Sequence, residues 1–190
     1  MGAGALPLDP AKGIYPFGIP IFLNKKNRLE KEMNVLYADG PDLINMSEEK
    51  FANLFLMDMF IAGKGIPLIF DTGATVTVIR QSIADGIGVI PLPGNVRAGG
   101  NAGSIASLSR GKIPALKIGS AAVEDISVMI AKDQQLDFGE DGEGNPLRAN
   151  GFLGWDVISK FKWTIDPASR TYAVEKPEWH ENKGRLHWDN

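Results

Sequence analysis

Two short runs in the middle of the chain, residues 67–70 and 76–79, consist almost entirely of apolar and β-branched residues. A strand with one exposed face would show alternating polar and apolar positions, whereas a nearly continuous apolar run indicates a strand covered on both faces. The residues between the two runs are small or polar and begin with Asp71. The pattern therefore predicts two buried strands joined by a tight loop that carries Asp71.

Similar short apolar runs recur along the chain and predict a mostly β fold. The predicted strands cover residues 19–23, 54–61, 66–70, 113–118, 123–130, 162–166 and 171–174. Residues 28–37 fit either a strand or a helix. Clusters of Gly, Pro, Asn and Asp predict breaks at 39–42, 63–65, 91–94 and 167–170.

Few helices are expected. Ser47 followed by Glu48 and Glu49 predicts the start of a short helix, because acidic side chains favour the positive end of the helix dipole. Asp156 is expected to cap another short helix that ends near residue 161. Residues 80–86 fit either a turn of helix or a loop.

The composition narrows the classes of function. The chain has 190 residues, a net charge of −3 and a pI near 5.4, which argues against a nucleic-acid partner. It has no cysteine, which excludes thiol catalysis, and its two histidines lie near the C-terminus, which argues against a Ser-His-Asp mechanism. No apolar run approaches the roughly 20 residues of a membrane span. No signal peptide is predicted, although an exported protein after trimming would look the same, so the compartment stays open.

Asp71 is the main candidate for chemistry. Burying a carboxylate is costly unless it has hydrogen bonds, a partner or a catalytic role. Gly73 permits a tight backbone turn, and Thr72 and Thr75 supply hydroxyls beside the carboxylate. Asp-Thr-Gly is also ordinary turn chemistry, but the apolar flanks favour a catalytic aspartate between two core strands.

Two loops have distinctive compositions. Residues 98–103 are too rich in glycine for a core strand and suit a hairpin tip, which could be either a mobile lid or a plain surface loop. The tip consists of Gly99, Gly100, Asn101, Ala102 and Gly103. Residues 133–150 are predicted to form a long acidic loop, whose acids do not have the spacing of a calcium loop. We therefore predict no metal and no cofactor.

Two motifs taken together resemble the retropepsin-type aspartic proteases, especially the single-lobe bacterial aspartyl proteases. They are Asp71-Thr-Gly-Ala-Thr75, with an apolar strand and a glycine-rich segment after it, and Gly151-Phe-Leu-Gly-Trp-Asp156. Thr164-Ile165-Asp166 fits the same resemblance. The resemblance covers about residues 53–175 and implies a closed, mostly β barrel with one short helix near the C-terminus.

The resemblance also implies a division of the chain. Residues 1–52 would be an N-terminal arm of unknown role, and residues 53–175 the catalytic domain. Residues 176–190 would be a C-terminal tail.

The resemblance further implies a mechanism, in which two facing aspartates share a proton and activate water to hydrolyse a peptide bond. Asp-Thr-Gly occurs once here, so the second aspartate would come from another copy in a C2 homodimer, or from a second lobe of a longer chain. Thr72 would brace the two loops, and Gly73 would offer backbone acceptors to a peptide or protein substrate. The glycine-rich hairpin would be the flap. Ala74 and Thr75 would complete the active-site loop, with Gly154, Trp155 and Asp156 as the second motif.

Two positions depart from the family pattern. Many retroviral members carry an acid at the position of Thr75 and an Arg at the position of Trp155, and these two pair. Both are replaced here, which removes one brace of the dimer. Ala74 stands where the two-lobed enzymes carry a hydroxyl that stabilises the ionised aspartate. We therefore expect a less acidic pair and an optimum near about pH 5 to 6.

Three other interpretations remain. The chain could be a non-catalytic module for dimerisation or peptide binding, although such a module has no need to bury two acids. It could also be an enzyme that its own N-terminal arm blocks. A phosphate-binding protein with an Asp-x-Gly-x-Thr loop is disfavoured, because those folds need two large domains and further glycine loops.

Overall fold

The computed structural model describes residues 33–49, 51, 54–99 and 105–177 of the chain. The strands in chain order are β1 Asn34–Leu36, β2 Asp42–Asn45, β3 Leu56–Ile61, β4 Lys64–Phe70, β5 Val78–Arg80, β6 Ile90–Gly99, β7 Ile105–Ile118, β8 Ala121–Ala131, β9 Asp137–Glu140, β10 Pro146–Arg148, β11 Gly151–Leu153, β12 Lys162–Asp166 and β13 Thr171–Glu175. The helices are α1 Gln81–Ile87, α2 Trp155–Ile158 and a 3₁₀ turn Asp133–Leu136.

The larger sheet closes into a barrel. Its strands pair in the order β8, β5, β11, β4, β3 and β7, and β7 pairs back with β8. Strand β11 runs parallel to β4 and antiparallel to β5, so it is inserted between the strands on either side of the Asp71 loop. Strands β1 and β6 are added to this ring as edge strands. The predicted closed, mostly β barrel is confirmed.

The β3–β4 hairpin delivers Asp71, as the apolar pattern predicts. Its turn is formed by Ala62 and Gly63, which have positive φ angles of 51° and 78°. Two successive residues of this kind form the type of turn that matches the twist of a two-stranded hairpin. The hairpins predicted around residues 119–120 and 167–170 are also confirmed, as β7–β8 and β12–β13.

A three-stranded sheet of β12, β13 and β2 accompanies the barrel, and an aromatic cluster joins the two. The Trp163 ring lies 4.9 Å from Phe70, 5.9 Å from Tyr172 and 6.0 Å from Phe161, measured between ring centroids. Phe70 is the residue before Asp71. The cluster therefore packs against Phe70, the last residue of β4.

The N-terminal strands complete both sheets. Strand β1 pairs with β8, and β2 pairs with β13. Tyr37 Oη donates a hydrogen bond to the Lys160 carbonyl at 3.1 Å. Residues 34–45 lie in the predicted arm 1–52, and their strands are part of the folded sheets. The roles of the arm and the tail stay predictions. The predicted strand 19–23 and residues 178–190 lie outside the described residues.

Several local predictions are corrected. Residues 47–49 form a bend instead of a helix start: Ser47 Oγ accepts the amide of Glu49 at 3.2 Å, as at a helix N-cap, but a bridge between Phe51 and Leu54 follows in place of a helical turn. For residues 80–86 the sequence allows a turn of helix or a loop, and residues 81–86 lie in α1, so the structure has a short helix besides the one near the C-terminus. The predicted break at 39–42 is wrong at its last residue, where β2 begins.

Two predicted irregular segments are strands. Strand β6 continues through Pro91 and Pro93, with a shift in register between Leu92 and Asn95. It tolerates prolines because it lies at a sheet edge, where a missing amide donor leaves no partner unsatisfied. The predicted loop 133–150 contains the β9–β10 hairpin, whose turn is held by Asp141 Oδ1 accepting the amides of Glu143 and Asn145. No helix in the described part of the chain is both long and apolar enough to cross a membrane.

Candidate active site

Asp71 begins the loop between β4 and β5 and is only 8% exposed. Its amide donates to the Leu153 carbonyl at 3.1 Å, which ties it to β11. Its carbonyl accepts the amide of Ala74 at 3.2 Å, which closes the turn through Thr72 and Gly73. The loop is therefore attached to the barrel at its first residue and folded back on itself.

Only one of the two carboxyl oxygens of Asp71 accepts a hydrogen bond from a described residue. Oδ1 accepts the Gly73 amide at 2.9 Å. Oδ2 is buried and has no hydrogen-bond partner among the residues that the structure describes. Burial raises the pKa of Asp71, and the backbone amides of Gly73 and Ala74 offset part of that rise. The group is thus a buried carboxyl with a raised pKa and one oxygen that no described residue satisfies.

The second motif lies against this loop. The Trp155 amide donates to the Ala74 carbonyl at 2.7 Å. Asp156 Oδ1 accepts Thr77 Oγ1 at 2.8 Å, and Asp156 Oδ2 accepts the Thr77 amide at 3.0 Å. The Gly154 amide donates to Thr77 Oγ1 at 3.1 Å. The structure therefore brings the two predicted motifs together, although the first is separated from the second by most of the domain.

Asp156 does not have the predicted capping role. The N-cap of α2 is Gly154, and Asp156 lies in the first turn, with Oδ1 also accepting the Val157 amide at 2.9 Å. The helix ends at Ile158 and is followed by a turn, so the predicted end near residue 161 is wrong. Burial raises the pKa of Asp156, and the hydrogen bonds from Thr77 oppose that rise. The Asp156 carboxylate thus accepts two hydrogen bonds from Thr77, in the segment after Asp71, and one from its own helix.

Sequence reasoning missed Thr77 and Arg80. Thr77 is fully buried, and the signal for it is a lone hydroxyl in an otherwise apolar strand. Arg80 is also buried, and its guanidinium donates to the Leu136 carbonyl at 2.7 Å and the Ala149 carbonyl at 2.9 Å. Both carbonyls flank the β9–β10 hairpin, so Arg80 holds that hairpin next to β5.

Two glycines allow β11 to approach the Asp71 loop. A Cβ atom at Gly154 would lie 2.3 Å from the carbonyl carbon of Val76, and one at Gly151 would lie 2.1 Å from the Val78 oxygen. Contacts this short with backbone atoms cannot be relieved by moving a side chain. These positions therefore require glycine for the two motifs to pack.

The other predicted loop residues lie at the open side of the site. Thr72 and Thr75 are exposed and Gly73 is partly buried, whereas Ala74 is buried beneath them. The predicted flap hairpin exists as β6–β7, in which Gly99 pairs with Ile105. Gly100, Asn101, Ala102 and Gly103 lie outside the described residues, so the role of the flap stays a prediction.

The cavity that Phe60 lines lies apart from the Asp71 loop. Within the described ranges, no group of His, Asp or Glu side chains could hold a metal ion. A cavity of about 400 Å³ is lined by Phe60, Ala62, Ile87, Pro114 and Lys117. It lies by the β3–β4 turn, at the opposite end of β4 from Asp71.

Comparisons with known proteins bear on the family. A family profile described as "Aspartyl protease" matches residues 57–157, just over half of the chain, and this range includes Asp71 and Asp156. A solved structure titled "Crystal structure of a retropepsin-like aspartic protease from Rickettsia conorii" is similar at 14% identity and a TM-score of 0.44. The similarity covers 76% of this chain and 94% of that chain. No curated protein matches. On the match to the family profile, the chain belongs to the aspartyl protease family.

Proposed function

We propose that this protein is an aspartic endopeptidase, in which the Asp71 residues of two copies form one catalytic pair. The observation that carries the proposal is the buried Asp71 Oδ2, which has no hydrogen-bond partner in the described part of the chain. A buried polar atom without a hydrogen-bond partner needs an explanation, and a catalytic role is one that such atoms have. Asp-Thr-Gly occurs once in the sequence, so a second copy is the source that would supply an equivalent carboxyl.

The two carboxyl groups of the pair would have different roles in the reaction. Two carboxyls in contact cannot both ionise easily, so one stays protonated while the other is ionised. The ionised group would take a proton from a water molecule as the water oxygen attacks the peptide carbonyl carbon. The protonated group would donate to the carbonyl oxygen. When the tetrahedral intermediate collapses, the C–N bond breaks and the nitrogen leaves with a proton from the pair.

The surrounding residues would position this pair. Asp156 and Thr77 do not contact the reacting atoms in this proposal. They fix the backbone that follows Asp71 through the hydrogen bonds described above. Thr72, which is exposed at the open side of the loop, would brace the loop of the second copy. Gly73 and the β6–β7 hairpin would hold an extended peptide by strand-like pairing.

Cleavage of a mixed peptide library between about pH 3 and 7 tests the proposal, with and without pepstatin. The Asp71→Asn variant should lose all cleavage. Asp85→Asn is the matched control, because Asp85 is an exposed carboxylate on α1 that accepts only Gln81 Nε2 at 2.8 Å in the described structure. Equal activity in Asp71→Asn and Asp85→Asn would overturn the proposal. A chain that folds but cleaves no peptide at any pH would favour either a peptide-binding module or an enzyme that its N-terminal arm blocks. Deletion of residues 1–32 would distinguish the two, because only the blocked enzyme should gain activity.

A further inference from the structure

A row of directly opposed residues crosses four neighbouring strands on the outer face of the barrel. Directly opposed residues point to the same face of a sheet. The row consists of Leu36 on β1, Ala122 on β8, Lys117 on β7 and Phe60 on β3. The adjacent row packs into the core and consists of Val35, Val123, Leu116 and Ile61. The first row therefore faces outwards, where Leu36 and Phe60 are each 47% exposed.

The cavity of about 400 Å³ lies at the Phe60 end of this row. Phe60 and Lys117 line it, and so does Ala115, two positions before Lys117 on the same face of β7. Ile87, the last residue of α1, adds to the apolar wall. The Phe60 ring lies against Gly65, where a Cβ atom would be 3.6 Å from it, so this position of β4 has no side chain to cover the ring. The cavity is thus an apolar recess with the exposed Lys117 in its lining.

The chain enters the described fold close to this cavity. Asn34 begins β1 and lies opposite Glu124, which in turn lies opposite Ala115. Neighbouring strands are about 4.8 Å apart, so Asn34 is two strand spacings, or about 10 Å, from a residue that lines the cavity. Asn34 Nδ2 donates to Glu124 Oε2 at 2.8 Å, which holds the start of β1 on this face. The residues that precede β1 therefore start from the neighbourhood of the cavity.

The sequence before β1 contains an apolar stretch that suits such a recess. Residues 14–23 include no charged residue, and residues 19–23, Ile-Pro-Ile-Phe-Leu, are predicted to form a strand. A stretch of this composition would expose a large apolar area if it were left in water. The ten residues 24–33 link it to β1, and an extended chain of ten residues spans up to about 35 Å. The cavity, about 10 Å from the start of β1, is therefore within its reach.

We propose that residues 19–23 occupy the cavity beside Phe60 in the same chain. Apolar side chains such as Ile21 and Phe22 would fill the recess, and Phe60 would lose its contact with water. This contact needs no second copy and does not involve Asp71, so it is independent of the proposed function. It would give the N-terminal arm a structural role at the end of β4 opposite Asp71, in contrast to an arm that blocks the active site.

Thiol labelling of the full chain tests this cover, because the sequence has no cysteine of its own. Lys117→Cys places one thiol in the cavity wall. Adding Ile21→Asp and Phe22→Asp should displace the segment, since burial of unpaired charges is costly. Alkylation of the thiol should then be at least about tenfold faster. Leu43→Cys is the control, because Leu43 is 75% exposed on β2 of the other sheet, and its labelling rate should not respond to the two arm substitutions.

The same assay distinguishes other occupants of the cavity. If Ile21→Asp and Phe22→Asp leave the labelling of Lys117→Cys unchanged, residues 19–23 do not cover the cavity and the proposal is wrong. Faster labelling after Trp179→Asp instead would assign the cover to the C-terminal tail. Faster labelling on dilution, with the arm sequence intact, would assign it to a second copy. Either of these results overturns the proposal.

A second measurement does not depend on displacing the arm. A disulfide forms only between Cα atoms within about 7 Å. Mild oxidation of a chain with Ile21→Cys or Phe22→Cys, combined with Lys117→Cys, should therefore link the two thiols within one chain. Both arm positions are tested because successive side chains of a strand point to opposite faces. Ile21→Cys combined with Leu43→Cys is the control and should stay reduced. Reduced thiols in both Lys117→Cys pairs would overturn the proposal and leave the Asp71→Asn test unaffected.

Discussion

Thr77 donates two hydrogen bonds to Asp156 across 79 positions of sequence, one from its hydroxyl at 2.8 Å and one from its amide at 3.0 Å. These bonds attach the chain after Asp71 to the first turn of α2. The Gly154 amide completes the arrangement by donating to the Thr77 hydroxyl. The placement of Asp71 therefore depends on a carboxylate that does not contact it.

Removing the Thr77 hydroxyl should destabilise the fold. Thr77→Val keeps the shape of the side chain but leaves Asp156 Oδ1 without this donor and the Gly154 amide without its acceptor. Leaving buried polar groups unsatisfied costs about 1 to 3 kcal/mol of unfolding free energy. Urea denaturation checks this, with Thr164→Val on the exposed side of β12 as the control. Equal midpoints for the two variants would contradict the role of the hydroxyl.

Asp71 should make stability depend on pH in a defined direction. Burial raises its pKa in the folded state above the ordinary value of 3.8, so the folded chain binds the proton more tightly than the unfolded chain. Stability therefore falls as pH rises from the unfolded pKa through the folded pKa. Asp71→Asn removes this ionisation and should be more stable than the wild type at about pH 7. The difference should shrink as pH falls towards about 3, and a difference that grows on acidification would contradict the argument.

A methyl group at Gly154 should prevent the two motifs from packing. The added Cβ would lie 2.3 Å from the Val76 carbonyl carbon and 2.7 Å from the Thr77 nitrogen. Because backbone atoms must move to relieve this overlap, Gly154→Ala should lose about 3 kcal/mol or more of unfolding free energy. Gly142→Ala in the β9–β10 turn is the matched control, since its Cβ would meet nothing within 4 Å. Soluble yield and urea denaturation provide the measurement, and similar values for both variants would show that the overlap is tolerated.

The residue at position 74 should set the acidity of the proposed catalytic pair. A hydroxyl at this position could donate to the Asp71 carboxylate, and hydrogen bonds to the charged form lower a pKa. Ala74→Ser should therefore move the acid limb of the pH–rate profile to lower pH than that of the wild type. The wild-type optimum is expected at about pH 5 to 6, and a wild-type peak near about pH 3 would contradict this expectation.

The sequence was informative where short-range pattern and structure coincide. The apolar runs around Asp71 predict the β3–β4 hairpin and the burial of Asp71, because a strand covered on both faces consists almost entirely of apolar residues. The sequence pattern could not predict that β2 pairs with β13, since strand partners far apart in sequence are chosen by the assembled core. The extent of the resemblance placed residues 34–45 in an arm of unknown role, and within that segment β1 and β2 form edge strands of the two sheets.

The same limit explains the misread polar residues. Asp156 precedes a short helix and looks like its cap, but Gly154 occupies that position and Asp156 is engaged by Thr77. Arg80 looks like the start of a polar turn, but its partners are carbonyls 56 and 69 positions away. Each of these side chains is satisfied by a distant segment, so local sequence carries no signal for its role.

Mixing the wild-type chain with Asp71→Asn tests the paired aspartates most directly. If each active site needs Asp71 from both copies, mixed dimers are inactive and only wild-type pairs cleave. At constant total protein, peptide cleavage should then follow the square of the wild-type fraction and fall to about one quarter in an equal mixture. Activity that falls in simple proportion to the wild-type fraction would contradict the paired site and would show that each chain works alone.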